Sequence, residues 1–206
     1  MLETAPVKLS FKQQQLQFRE NAILDAVNRL LAQKGFDLMT MDEVAADVGI
    51  AKASLYKHFQ SKEHLAAASM TRLLESALTL VHGLPEHHTP LDKLKAVVRW
   101  AVTEHLGGTM PLLPSTRSST QQALLAYPPY IDRLSSLTEQ LGEWIEQAQA
   151  DRSLSASLPS EVILYTIYAR SCDPVADFLQ MGGAFSNQDI VDLVIHTTFE
   201  GMTGQT

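Results

Sequence analysis

The sequence predicts an all-α protein in which three amino-terminal helices form one domain and the remaining helices form a second, about nine helices in all. Apolar residues recur at three- and four-residue spacing along most of the chain, and no strand-like alternation persists. Capping motifs and Gly/Pro signals separate these periodic segments. With 206 residues, 45% of them apolar, the chain can bury a substantial core.

The first two helices have well-marked ends. The first is predicted from about residue 10 or 11 to Lys34, with Phe18 in its apolar stripe and Gly35 at the position after its carboxyl end. The second begins at the capping box TMDE, residues 40–43, where a threonine hydroxyl and a glutamate carboxylate each bond a backbone N–H. It is predicted to end after two turns, at Gly49.

The later helices follow similar signals. A short third helix is predicted over about 52–58, and Ser61 caps a fourth that runs from Lys62 to Val81. Thr89-Pro90 begins the fifth. Further helices are predicted over about 117–126, 128–150, 160–181 and 187–201. Pro174 should kink or split the helix that contains it.

Charge is distributed unevenly along the chain. The net charge is −7, yet residues 1–65 hold eight Lys/Arg and eight Asp/Glu, so the excess lies in residues 66–206. The acidic part is expected to repel nucleic acid. Any contact with DNA must therefore come from a local patch in the amino-terminal part.

Composition also predicts the compartment. No apolar run approaches the roughly 18–20 residues of a membrane span, and the amino terminus lacks a signal-peptide layout. The single cysteine, Cys172, has no partner in the chain for a disulfide. We therefore expect a cytoplasmic protein without a membrane partner.

The second and third helices, joined by a glycine turn behind a longer first helix, have the outline of a helix-turn-helix. In that motif the second short helix enters the major groove of DNA. The stretch GIAKASLYKHF, residues 49–59, occupies this place, with Ile50, Leu55 and Phe59 predicted to face inward. The residues left outside are Lys52, Ala53, Ser54, Tyr56, Lys57 and His58. The alternative is a solvated helix face with lysines placed by chance, and His58 could also pack beneath the helix.

Lys52 stands at the start of its helix, where the partial positive charge disfavours a cation by roughly 0.3–1 kcal/mol. The same helix end favours a phosphate, so Lys52 and the backbone N–H groups could bind phosphates together, or Lys52 could reach guanine O6 and N7. Thr40 and Lys62, at two other helix starts, are placed for neighbouring phosphates. Ala51 cannot cap the helix, so we expect its first turn to be ordered only on DNA.

The run TMDEVAADVGIAKASLYKHFQSKEHL, residues 40–65, resembles the DNA-binding signature of the tetracycline-repressor (TetR) family. The resemblance spans about 50 residues with the first helix, whereas residues 85–206 match only in length and helical layout. It implies a DNA-binding domain over 1–62, a linker helix over about 62–82, and a ligand-binding and dimerisation domain over 85–206. The positions it implies for DNA contact are Thr40, Lys52, Ala53, Ser54, Tyr56, Lys57, His58 and Lys62. Ala51 departs from the serine found there in many members.

The function implied is that of a transcriptional regulator, expected to be a repressor that binds a palindromic operator as a homodimer and is released by a small-molecule effector. A ligand-responsive activator is the alternative. The sequence has no GxSxG, P-loop or HExxH motif, so we expect no enzyme and no cofactor. A helical binding module with a vestigial helix-turn-helix is a further alternative.

Aromatic, methionine and polar residues in the second domain are the candidates for an effector pocket. They are Trp100, His105, Met110, Arg117, Tyr127, Trp144, Tyr165, Tyr168 and Phe178. Each could instead belong to the core. Arg117 could meet a carboxylate of the ligand or an internal acid.

The last two predicted helices carry apolar stripes, and the resemblance implies that they pair with their copies in a four-helix bundle. The candidate interface residues are Ile163, Ile167, Arg170, Ile190, Leu193, Val194 and Thr197. Such pairing would hold two recognition helices about one DNA turn apart, roughly 34 Å. The alternative is that both stripes serve the core of one chain.

Two other features are expected to have no site role. His82, Glu86, His87 and His88 lie in a Gly/Pro linker where polar residues are common, so we predict no metal site there. Cys172 lies on a mostly apolar helix and is predicted to be a small buried residue and not a redox sensor.

Overall fold

The computed structural model describes residues 10–110 and 119–202, and within these ranges every regular element is helical. The ten α-helices are α1 Phe11–Leu38, α2 Met41–Val48, α3 Lys52–His58, α4 Lys62–Gly83, α5 Pro90–Leu106, α6 Ser119–Leu125, α7 Pro128–Ala150, α8 Ser160–Ala169, α9 Pro174–Gly182 and α10 Asn187–Phe199. The all-α prediction is confirmed. None of the helices in this part of the chain has the length and apolarity to cross a membrane.

The helix α1 breaks at the glycine that the sequence marked as its end. Gly35 has φ 74° and ψ 176°, and only a short helical turn follows it up to Leu38. The predicted apolar stripe begins too early, however, because Phe18 is 78% exposed. Burial along α1 starts at Ile23, more than one turn further on, so Phe18 does not belong to the core.

The helix predicted over 160–181 is split, which accounts for the tenth helix. A 3₁₀ turn, Arg170–Cys172, follows α8, and the Asp173 carboxylate accepts a hydrogen bond from Val175 N–H at 3.0 Å. Asp173 is almost fully buried and also accepts from Arg170. The new cap together with Pro174 starts α9 in a new direction.

The helix α4 contributes to all three hydrophobic clusters of the described residues. Its first turns, with Leu65, join α1, α2 and α3 in the amino-terminal cluster. Its middle, with Met70, packs on α6 and α7, and its last turns, with Leu78, enter the large cluster formed with α5, α7, α8, α9 and α10. Because all three clusters include residues of α4, a displacement of this helix would change the packing of each cluster.

Polar contacts also join α4 to α1. Arg72 donates to Asp25 Oδ1 at 2.7 Å and to the backbone carbonyl of Asn21 at 3.1 Å. One turn earlier, the buried Ser69 hydroxyl donates to Asn28. We call this set of contacts, made by Asn21, Asp25 and Asn28 with Ser69 and Arg72, the α1–α4 seam.

Candidate nucleic-acid interface

The helices α2 and α3 meet at a tight glycine turn. Thr40 and Glu43 form the predicted capping box, with Thr40 N–H donating to the Glu43 carboxylate at 3.0 Å and Glu43 N–H donating to the Thr40 hydroxyl at 3.3 Å. Gly49 then takes a left-handed conformation, φ 73°, and Ile50 N–H donates to the Ala45 carbonyl at 2.9 Å. A side chain at Gly49 would strain this turn, which fixes the angle between the two helices.

The helix α3 is anchored by its apolar side. Leu55 is fully buried and Phe59, the residue after the helix, is 6% exposed, while Ile50 packs against the same cluster. This confirms the predicted inward face. The opposite side is open to solvent and presents Lys52, Ala53, Tyr56 and Lys57, with Ser54 half-buried beside them.

Lys52 has a partner that the sequence reasoning missed. Its ammonium group donates to Asp42 Oδ2 at 2.8 Å, and both side chains remain largely exposed. This hydrogen bond raises the pKa of Lys52 above its ordinary value. Asp42 lies in the first turn of α2, where a negative charge interacts favourably with the helix dipole. That position is the only feature of the sequence that could have indicated an acid near Lys52. Lys52 and Asp42 therefore form an exposed ion pair between the starts of α2 and α3.

The start of α3 has no side-chain cap, as Ala51 implied. Backbone hydrogen bonds nevertheless form at this end of the helix, which begins at Lys52. The Ala51 carbonyl accepts from Ser54 N–H at 2.8 Å and from Leu55 N–H at 3.2 Å. These bonds and the burial of Leu55 order the turn.

Two residues predicted to face DNA have contacts within the chain. The His58 side chain is only 7% exposed, and its Nδ1 lies 3.3 Å from Glu20 of α1, so it packs beneath α3 and not outside it. Lys62 is half-buried, donates to the Asp37 carbonyl at 3.2 Å, and lies 4.2 Å from the Phe36 ring centroid. Its ammonium group thus holds α4 to the end of α1.

Comparison with known proteins relates the amino-terminal part of the chain to a family. The family model described as bacterial regulatory proteins, tetR family, matches residues 23–69, which include α2 and α3. Residues 23–69 therefore match the amino-terminal domain of the TetR family. A relative named the negative transcriptional regulator IcaR of the biofilm operon icaADBC, from Staphylococcus aureus strain Newman, is 41% identical over 51 residues. That match covers 25% of this chain, and the chain spans 27% of the length of IcaR.

Solved TetR-like structures match over most of the chain. The FadR regulator of Bacillus subtilis, in complex with stearoyl-CoA, has a TM-score of 0.69 at 15% identity, covering 89% of this chain and 99% of FadR. AibR, in complex with isovaleryl coenzyme A and operator DNA, has a TM-score of 0.61 at 22% identity, covering 88% and 98%. These likenesses establish the fold. The family and these relatives are transcriptional regulators, which agrees with the expectation of a non-enzyme.

Among the described residues, the predicted effector residues do not line one pocket. Met110 and Trp144 are buried, and the His105 side chain is 6% exposed with Nε2 2.8 Å from Asp177 Oδ1. The Tyr168 hydroxyl lies 2.9 Å from Thr138 Oγ1, and burial raises the pKa of Tyr168. These four therefore take part in the packing and internal bonds of the second domain.

The other effector candidates are scattered. Tyr165 and Phe178 are 68% and 70% exposed in the single chain, so the structure does not support their placement in a pocket. Tyr127 is half-buried at the start of α7, with its ring centroid 5.4 Å from that of His64. Arg117 lies outside the described residues. Trp100 lines a cavity of about 620 Å³ between α1, α4 and α5.

The predicted interface residues divide into two groups. Four of them are buried in the core of the single chain and are not available to a partner: Ile163, Ile167, Ile190 and Val194. Arg170 is half-buried and bonds Asp173. Leu193 and Thr197 are exposed. The exposed large apolar residues of α8, α9 and α10 include Val162, Tyr165, Phe178, Met181 and Leu193, and of these only Leu193 was predicted at the interface.

The segment with His82, Glu86, His87 and His88 contains no metal-binding arrangement. The rings of His87 and His88 contact each other edge to face at 5.0 Å between centroids. Among the described residues, no group of three or more His, Cys, Asp or Glu side chains converges on a common point. Cys172 is half-exposed at the end of the 3₁₀ turn and not buried as predicted.

Proposed function

We propose that this protein is a DNA-binding transcriptional regulator that represses transcription by binding a palindromic operator as a homodimer, until a small-molecule effector releases it. The observation that carries the proposal is the exposed face of α3, with Lys52, Tyr56 and Lys57 on a helix anchored by Leu55. Its place after α2 is that of a recognition helix, whose amino-terminal side chains meet base edges and phosphates. A regulator of this kind acts on the chromosome, so the proposed location of the protein is the cytoplasm.

The proposed domains follow the hydrophobic clusters. Residues 1–62 would form the DNA-binding domain, α4 the linker over about 62–82, and residues 85–206 the ligand-binding and dimerisation domain. The amino-terminal cluster around Leu55 and the larger cluster around Trp144 support this division, and α4 enters both. An effector that shifts α4 would move α3 with it, because Leu65 and Leu55 share one core.

Within the proposed DNA contacts, the structure supports distinct roles. Lys52, Ala53, Tyr56 and Lys57 are open to a DNA surface, and Thr40 is exposed at the start of α2. Lys62 and His58 would act by positioning α3 and α4, since their polar groups face α1. The repressor direction is supported by the name of the relative IcaR, a negative transcriptional regulator.

The proposed homodimer would form through the outer face of α8, α9 and α10. Val162 and Tyr165 on α8, Phe178 and Met181 on α9, and Leu193 on α10 are exposed large apolar side chains. Such a concentration of apolar surface favours association with a second copy. A dimer of this kind would present two α3 helices to the two halves of a palindrome.

The test is a fluorescence anisotropy titration of the purified protein against duplexes tiled across the region upstream of its own gene and against a shuffled duplex. We expect one duplex to bind at least a hundredfold more tightly than the shuffled one at physiological salt. Lys52→Ala should weaken that binding roughly tenfold or more. Arg152→Ala removes an exposed cation outside the helix-turn-helix and should change it less than twofold. Equal affinity for every duplex would overturn the proposal.

A further inference from the structure

A cavity of about 620 Å³ lies where the DNA-binding helices meet the second domain. Its walls come from α1, α4 and α5, and its lining is both polar and apolar. The volume is within the roughly 300–1,000 Å³ of small-molecule sites. The buried effector candidates, in contrast, lie in the packed core, where there is no space for a ligand. This cavity does have such space.

The charges that line the cavity are not all paired. Arg72 donates to Asp25 at 2.7 Å, and Arg29 pairs with Asp47 at 2.6 Å, so both guanidinium groups have carboxylate partners. Glu104 accepts a hydrogen bond from the Thr109 hydroxyl at 2.6 Å. In the part of the chain that the structure describes, however, no cationic side chain lies within 4 Å of the Glu104 carboxylate. Among the described residues, the negative charge of Glu104 therefore has no cationic partner.

Trp100 lies beside this carboxylate on α5. Trp100 and Glu104 are four residues apart on one helix, so they share a face, and both line the cavity. An indole face attracts a cation through its ring quadrupole, and a carboxylate on the same side adds direct charge attraction. An anionic ligand would instead meet Glu104 and would have to displace Asp25 from Arg72.

We propose that this cavity binds an organic cation with an aromatic or other apolar body, with its charge against Glu104 and Trp100. Leu73 supplies apolar wall across the cavity, while Asn21 and Ser76 add hydrogen-bonding groups at its edge. The pairing of one carboxylate with one tryptophan selects for a single positive charge, and the volume admits a molecule of two or three rings.

The position of the cavity makes it a regulatory site, a consequence that rests on the proposed function. Asp25 and Arg72 line the cavity and also form part of the α1–α4 seam. A cation held near Glu104 would attract Asp25 as well, and so would weaken its bond to Arg72. Loosening the seam would change how α1, and with it α3, is held on α4.

The test measures binding without DNA, by isothermal titration calorimetry of the full chain. The probe is methyltriphenylphosphonium, and the reference ligand is triphenylphosphine oxide, which has the same three rings and no net charge. We expect the cation to bind at least tenfold more tightly than the oxide. Glu104→Gln should remove this preference, and Trp100→Leu should weaken cation binding at least fivefold.

Glu146→Gln is the matched control, since it removes an exposed carboxylate on α7, outside the cavity. It should leave both affinities within twofold of the unaltered protein, and thermal melts should show that all three variants are folded. Equal binding of the cation and the oxide, or an unchanged cation affinity in Glu104→Gln, would overturn the proposal. Because no DNA is present, these outcomes do not depend on whether the protein binds an operator.

A second titration tests the regulatory consequence on the tightest duplex found upstream of the gene. Saturating methyltriphenylphosphonium should weaken DNA binding at least fivefold in the unaltered protein and less than twofold in Glu104→Gln. Cation binding that leaves DNA affinity unchanged would confirm the site and refute its role in regulation.

Discussion

At the scale of single residues, the ion pair of Lys52 with Asp42 would affect the proposed DNA binding. Their ion pair is 2.8 Å long and solvent-exposed, so DNA can replace Asp42 with a phosphate. Removing the competing carboxylate should therefore favour the bound state. It also removes one negative charge that would face the DNA backbone.

We predict that Asp42→Asn increases operator affinity about three- to tenfold at physiological salt, measured by anisotropy. Asp47→Asn is the control, because Asp47 is an exposed acid of the same helix whose partner is Arg29 and not Lys52. It should have a smaller effect. Unchanged or weaker binding by Asp42→Asn would show that the Lys52 ammonium group does not exchange its partner on DNA.

Glu43 gives the capping box a pH dependence. Hydrogen bonds from Lys34 and Thr40 lower the pKa of Glu43 below 4.5 in the folded chain. A carboxyl group with a lowered folded pKa stabilises the protein above its unfolded pKa, and this contribution disappears as pH falls through the folded value.

We predict that Glu43→Gln lowers the free energy of unfolding at pH 7, since glutamine can complete the capping box but cannot pair with Lys34 as an anion. The difference from the unaltered protein should shrink as pH falls below about 4.5. Urea melts between pH 3 and 7 measure it. A difference that stays constant across that range would contradict the role of the ionised carboxylate.

At the scale of helices, boundaries were predictable where a local signal fixes them. The capping box at Thr40, the prolines at the starts of α5 and α7, and Gly35 and Gly49 all mark ends that the structure confirms. Burial was less predictable, because it depends on which helices pack together. Phe18 and Tyr165 have helical spacing from buried residues, yet both lie on exposed surface.

Contacts between side chains from distant segments could not be predicted either, because they also depend on which helices pack together. Nothing local to His58 indicates Glu20, which is 38 residues away, or gives Lys62 its contact with Asp37. The inward face of α3 was nevertheless predictable from Ile50, Leu55 and Phe59. The exposure of Lys52, Ala53, Tyr56 and Lys57 was thus predictable, whereas the burial of His58 was one of two alternatives that the sequence left open.

The missing cap of α3 leads to a prediction for this element. Ala51 has φ −66° and ψ 141°, the extended conformation of a capping residue, so a serine could accept from the helix without moving the backbone. We predict that Ala51→Ser increases the free energy of unfolding by about 0.5–1 kcal/mol, measured in urea. Ala53→Ser, at the second residue of α3 on the exposed face, should not stabilise the protein. Equal effects would argue against a capping role.

At the scale of the whole molecule, the proposed homodimer depends on the exposed apolar face of α8, α9 and α10. A charge buried in an interface without a partner is strongly destabilising. We predict that Leu193→Asp and Tyr165→Asp convert the dimer to a monomer of 22.7 kDa at micromolar concentration, measured by sedimentation velocity. The loss of one half of the complex should also weaken operator binding at least tenfold.

Leu125→Asp provides the control for this experiment. Leu125 is 59% exposed on α6, away from the proposed interface, and its replacement should leave the mass unchanged. If both Tyr165→Asp and Leu193→Asp remain dimeric, the interface lies elsewhere on the molecule.

The most direct measurement of the central claim is selection of bound sequences from a random duplex library by the purified protein, followed by sequencing. A dimer with two α3 recognition helices predicts enrichment of an inverted repeat whose half-sites are centred one helical turn, or a whole number of turns, apart. Lys52→Ala should lose this enrichment under the same conditions. A library that emerges without any enriched motif, or with the same motif in Lys52→Ala, would contradict the assignment of α3 as the recognition helix.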